Sequence, residues 1–262
     1  MERGKDVGSG DVNFLKAPKI AVLFGEQTYS LSAGEVWHFF EQQIHYPITQ
    51  IGTDYFRNVD LKKYDILVVP EGNYRLFDES TLETVSGWVS GGGRLILIAN
   101  AINSFAEKGG FRLKRFTTDA EKTESERKDK ELREKEALTR YEDAERKTLS
   151  DFIGGAIYKV AMDKSHPLAF GLRDSYYSLR TNELRFGYLA DGWNVGVMRG
   201  KVKPVQGFAG YRANQKLDNS LVFGVEEKGS GEVVYLVDNP LFRMFWENGK
   251  MLFSNAVFMV GQ

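Results

Sequence analysis

No cysteine occurs anywhere in the 262 residues. That absence removes disulfides, thiolate metal ligands, redox switching and a thiolate nucleophile together, while leaving the compartment open. No run approaches the roughly eighteen apolar residues of a membrane span, and the first residues, Met1 to Asp6, lack the apolar segment of a signal peptide. An excess of one charge is missing as well. With 35 Lys+Arg against 36 Asp+Glu, there is no overall basic field to hold a phosphate backbone, and no nucleic-acid partner is expected. Histidine is scarce, at three residues.

What is present is apolar residue in quantity, 42% of the chain, enough for one large domain or two small ones. A Gly-rich start over residues 1–17 reads as a mobile segment. Lys19 to Phe24 then forms an apolar run, and Val36, Phe39, Phe40 and Ile44 recur at helical spacing up to the stop at Pro47. Ser30 and Ser32 stand at the start of that helix as caps rather than nucleophiles, since no histidine is placed as their base. A short strand around Ile48 to Ile51 and a continuous run from Tyr64 to Pro70 follow. Leu82, Val85, Trp88 and Val89 mark a second helix, broken by Gly91, Gly92 and Gly93 before the strand Leu95 to Ile98. That glycine run precedes a strand, so it is a tight turn and not a phosphate loop.

Continuous apolar strands alternating with helices predict an α/β fold with a doubly wound, mainly parallel sheet and any ligand crevice at the carboxyl ends of its strands. Residues 115–147 shift to Glu, Lys, Arg, Asp and Thr and are expected as a solvated, charged excursion. The segments Ala156 to Val160, Tyr176 to Leu179, Phe186 to Leu189 and Trp193 to Met198 are short and aromatic-rich. They predict a β-rich elaboration over about 156–215 of one domain spanning 18–262. Ser220 to Val225 and Gly231 to Val237 flank a hairpin loop, and Phe242 to Val260 closes the chain as a helix.

Six polar residues fall just past the expected strands: Glu26, Glu71, Asn73, Asn100, Asp238 and Asn239. If the sheet forms, they converge on one crevice suited to a small polar ligand, a peptide or a sugar; as isolated residues they are ordinary turn formers. Glu26 and Glu71 are the pair available for general acid and base work. A second constellation is His38-x-x-Glu41 on one helix face, near His45, with His166 far downstream as a third zinc ligand. Its ligands sit mid-helix with no position open for water, so half-exposed helix residues are the simpler reading. The aromatics Tyr176, Tyr177, Tyr188, Trp193 and Phe208 suggest either sheet packing or a stacking platform. No cofactor is called for.

Several longer motifs carry a resemblance. Phe14 to Lys19, Tyr141 to Arg146, Gly155 to Val160, Ser165 to Gly171, Gly192 to Gly196, Val237 to Arg243 and Phe245 to Lys250 closely resemble the C-terminal region of large bacterial zinc carboxypeptidase-family proteins of the Bacteroidetes type. In that family the region resembles a class I glutamine amidotransferase-like domain, flavodoxin-like in fold, without its catalytic cysteine. The resemblance implies an accessory, non-catalytic module, structural or ligand-binding, beside an N-terminal zinc peptidase domain whose ligands have no matching positions here. It also implies an exported parent protein, with Met1 then the start of a fragment. The amidotransferase nucleophile would fall near Asn100 or Ala101 and its histidine near Asp238 or Asn239; none matches, so no catalytic role carries over. The alternative from the residues themselves is a hydrolase of peptides or amides acting through strand-end carboxylates or zinc.

Overall fold

The computed structural model describes residues 16–115 and 148–261, so the expected mobile start and charged excursion lie almost wholly outside the described residues. Its first half is built from the apolar runs. β1 (Ile20–Phe24), β2 (Ile48–Gly52), β3 (Ile66–Val69) and β4 (Arg94–Ile98) are parallel. Between β1 and β2 lies α1 (Ser30–His38), which runs into a wider π turn at Phe39–Gln43 and so buries Phe39 and Phe40 together. Helix α2 (Glu79–Ser90) starts on Asp78, whose carboxylate accepts the Thr81 N–H at 3.0 Å. It ends where Gly93 is required: a Cβ there would lie 2.2 Å from the Trp88 ring, which packs on the turn.

The second half contributes β5 (Ile153–Met162), β6 (Ser175–Arg180), β7 (Trp193–Met198), β8 (Gln206–Ala209), the short α3 (Tyr211–Gln215), β9 (Ser220–Lys228), β10 (Gly231–Leu236) and α4 (Glu247–Phe258). All strands join one ten-stranded sheet in the order β2-β1-β3-β4-β10-β9-β7-β5-β6, with β8 on β5. The five from β2 to β10 are parallel, and from β9 onward every pairing is antiparallel. This is the α/β flavodoxin-like arrangement, and the β-rich elaboration continues its sheet rather than forming a layer of its own.

Register explains why the parallel runs are apolar throughout. Val22, Val68, Ile96 and Val234 stand side by side across four strands and face one core; Ala21, Leu67, Leu95 and Val233 form the adjacent row and face the other. Helix α2 covers the second face with Leu82, Val85 and Val89. The first face is covered by Val36, Phe39 and Phe40 and by Phe253 of α4, and the antiparallel strands curl over the same core with Tyr158 and Tyr176. Trp246 Nε1 donates to the Tyr177 carbonyl at 2.8 Å, and Asn255 Nδ2 reaches the Leu168 and Phe170 carbonyls at 3.0 and 2.7 Å, fastening α4 under the curl.

Three local expectations need correction. Ser30 and Ser32 do not cap α1: Tyr29 occupies the N-cap without a side-chain bond, and the Ser32 hydroxyl is used elsewhere. Phe186 to Leu189 is no strand; only an isolated bridge pairs Phe186 with Arg115. The closing helix begins at Glu247, because Arg243 and Met244 take left-handed φ of 47° and 59° and break the pattern before it. Among the described residues no helix is long and apolar enough to cross a membrane.

Candidate functional site

Past the carboxyl ends of β1, β3 and β10 the chain encloses a cavity of about 680 Å³, closed on its far side by the end of β6. The loops after β1 and β3 are laced together. Thr28 donates through N and Oγ1 to the Gly25 carbonyl at 3.0 and 2.7 Å, and the Tyr29 N–H reaches the Glu71 carbonyl at 2.8 Å. In return the Glu71 N–H binds Ser32 Oγ at 3.0 Å and the Gly72 N–H binds Asn100 Oδ1 at 2.8 Å. Gly72 permits this closeness, since a Cβ there would stand 2.3 Å from the Gln27 carbonyl.

The floor and walls carry carboxylates in unlike surroundings. Glu35, one turn along α1 from Ser32, accepts from Asn239 Nδ2 at 2.5 Å and from the Arg243 N–H at 2.6 Å. Burial still raises its pKa above the usual carboxylate range, against the pull of those bonds and of the Arg243 charge. Among the described residues the half-buried Glu71 carboxylate has no hydrogen bond, and its pKa is raised first by burial and then by the negative charge of Glu35. Asp238, 4% exposed, is pushed by burial up to about 6, against the opposing pull of Ser178 and the Arg180 guanidinium. Ser178 Oγ nevertheless stands outside hydrogen-bonding geometry, and Asp238 Oδ1 has no partner. Arg180, 2% exposed, is held by the Leu184 carbonyl and keeps an unpartnered Nε.

Four of the six strand-end residues therefore meet at the cavity: Glu26, Glu71, Asp238 and Asn239. Asn100 is a strut, holding Gly72 and donating to the Tyr29 hydroxyl at 3.3 Å, and Asn73 is exposed outside the lining. The carboxylate that acts on Glu71 is Glu35 rather than Glu26. His38 and Glu41 are exposed on α1 and its π turn, and His166 is engaged as an acceptor for the Leu168 N–H at 3.0 Å. Among the described residues no group of three His, Asp or Glu side chains is arranged to hold a metal ion. The aromatic candidates also separate: Tyr176 is core, packed edge-on against Phe223, while Tyr177, Tyr188, Trp193 and Phe208 are exposed to differing degrees.

Sequence reasoning missed Glu35, Arg180 and Arg243. A signal for Arg180 existed: Tyr176, Ser178 and Arg180 alternate along β6 and all three point to its buried face. A serine and an arginine at inward positions mark a polar pocket rather than a core.

The turn after β4 leads into Asn100 and Ala101, where the amidotransferase nucleophile would fall. Ala99 takes φ 50° there, buried at 1% exposure, between the strand and a 3-10 turn at Ala99–Ser104. A sharp, left-handed residue between strand and helix is the geometry that presents a nucleophile in α/β enzymes, and here it presents a methyl group. Known structures agree on the architecture. A ThuA-like protein of Parabacteroides merdae superposes with a TM-score of 0.57 at 12% identity, over 92% of this chain and 89% of that one. The fold is glutamine amidotransferase-like. A glutamine amidotransferase of Thermotoga maritima gives a TM-score of 0.52 at 9% identity, covering 92% of this chain and 97% of its own. A GMP synthase component from Thermoplasma acidophilum gives 0.53 at 11% identity, covering 92% of each. No protein-family model and no curated protein sequence matches the chain. At such identities the amidotransferase-like likeness is one of fold.

Proposed function

We propose that this chain is a non-catalytic amidotransferase-like module that binds a small polar ligand in its strand-end crevice, as an accessory to a zinc carboxypeptidase-type domain in a larger exported protein. The observation that supports the first part is the turn from Ala99 to Ala101, where a left-handed Ala99 precedes the expected nucleophile address at Asn100 and Ala101 and none of the three side chains is a nucleophile. No histidine lines the cavity either, so a general base of that kind is missing beside it. The accessory role rests on the long motifs from Tyr141 to Arg146 and from Val237 to Lys250 that resemble the region following such peptidases.

The rival is a hydrolase using Glu35 and Glu71, favoured by one observation: two neighbouring carboxylates with raised pKa values in one crevice, as acid and base catalysis requires. Incubating the purified chain with peptide, ester and amide substrates separates the two. Binding without turnover is expected, seen as a rise in Tm with one ligand class. Turnover lost in Glu71→Gln would replace the binding reading with the hydrolase. The accessory role is tested by removing this region from the parent protein, where loss of peptidase abundance or activity is expected and unchanged behaviour would overturn it.

A further inference from the structure

The cavity has more carboxylates than cations. Glu26, Glu35, Glu71 and Asp238 line it against two guanidinium groups, Arg180 and Arg243, and no ion pair joins any of the six to another. An ionised carboxylate only accepts hydrogen bonds, and a buried one left without donors is costly. Among the described residues Glu71 has no hydrogen bond to its carboxylate, and Asp238, 4% exposed, belongs to the same lining and keeps Oδ1 unpartnered. Glu35 uses one bond on each oxygen, so further acceptor positions remain on it.

On the reading that the crevice binds a polar ligand, we infer that this ligand is an organic ammonium ion, a small primary amine whose N–H donors meet Glu35 and Glu71. A metal ion is the wrong cation, because it needs ligands converging on one point and the described residues offer no such group. An ammonium accepts a looser arrangement of oxygens at ordinary hydrogen-bond distance. The ring of Tyr29 lines the same space and suits a cation, whereas the Phe242 ring already carries the Arg243 guanidinium at 5.3 Å from its centroid. Polarity along the cavity follows from Arg180. Arg180 lines the cavity at its β6 end, so the end of the ligand nearest β6 carries no second positive charge.

A matched series tests the charge directly: 4-amino-1-butanol, 1,4-butanediol and 4-hydroxybutyrate share a chain and a hydroxyl and differ in being cationic, neutral and anionic. Titration of the whole chain, followed by amide chemical shifts at the strand ends, is expected to show the amine binding at least about tenfold tighter than either analogue. That difference corresponds to roughly 1.4 kcal/mol. Glu71→Gln, with its fold checked by an unchanged Tm, is expected to lose most of that preference. Tighter binding of the diol or the acid overturns the amine inference and leaves a binding module standing. Equal binding of the amine to Glu71→Gln overturns its placement. If neither this series nor a panel of sugars, amino acids and peptides binds, the inference and the binding reading fall together.

Discussion

One hairpin carries two buried carboxylates with opposite fates. Glu226, on β9 near the amino end of β10, is fully buried yet answered on every side: it accepts from the Arg112 N–H at 3.0 Å, Arg112 Nε at 3.3 Å and the Tyr235 hydroxyl at 2.6 Å. Asp238, just beyond the carboxyl end of β10, is almost as buried, and its Oδ1 has no partner. Around Asp238 the same want recurs at the Tyr176 hydroxyl, Ser178 Oγ and Arg180 Nε. At the amino end the polar groups around Glu226 are answered within the protein, and Arg94 Nε, which among the described residues has no hydrogen bond, stands 3.5 Å from the Glu232 carboxylate. The carboxyl end leaves its polar groups unspent beside a cavity, which is how a binding site differs from a structural clamp.

Substitutions sharpen that contrast. Glu226→Ala removes the acceptor shared by the Arg112 and Tyr235 donors and is expected to cost about 4 kcal/mol, read from chemical denaturation; a loss under about 1 kcal/mol would show that the clamp is ornamental. At the other end the effect lies in pH. Because burial raises Asp238 from 3.8 to about 6, its protonation favours the folded state: that contribution is complete below about pH 4 and lost as pH rises through about 6. The stability of the unliganded protein relative to Asp238→Asn is therefore expected to decline by about 2 kcal/mol between about pH 4 and 7. Parallel pH profiles of the two proteins would refute the assignment.

A smaller pair of changes asks the same question of two buried tyrosines. Tyr235→Phe removes a hydrogen bond to a carboxylate and should cost about 2 kcal/mol. Tyr176→Phe removes a hydroxyl that has no partner, and the change is expected to stay within about 0.5 kcal/mol or to stabilise. Thermal and denaturant melts of both variants provide the comparison, and equal losses would erase the distinction between the two ends.

The parallel half was legible because each run, such as Ile66 to Val69, is buried on both faces and therefore apolar at every position. The strand-end rule likewise pointed to Glu71 and Asp238. What stayed hidden depends on long-range curvature. Nothing local to Arg180 says that β6, the far edge of the sheet by pairing, curls back to face β10. Glu35 was hidden differently: on a helix read from its apolar face, a glutamate looks like solvent-facing decoration, and its neighbour Asn239 lies two hundred residues away. Asn100 and Asn73 sit at sites of equal promise in the sequence, and only the backbone geometry separates a strut from an exposed turn.

The adjacency of β4 and β10 sets an order of events in synthesis. β4 is complete at Ile98, but the strand that pairs with its outer edge begins only at Gly231. While the intervening chain leaves the ribosome, the row of backbone donors and acceptors along Leu95 to Ile98 is an open edge of an apolar sheet, a template for wrong partners. Closing it requires a contact of high sequence separation, which slows the final step. The last hairpin thus completes the crevice and caps the nascent sheet in one event, so a chain truncated before β10 should be a substrate for chaperones rather than a smaller folded domain.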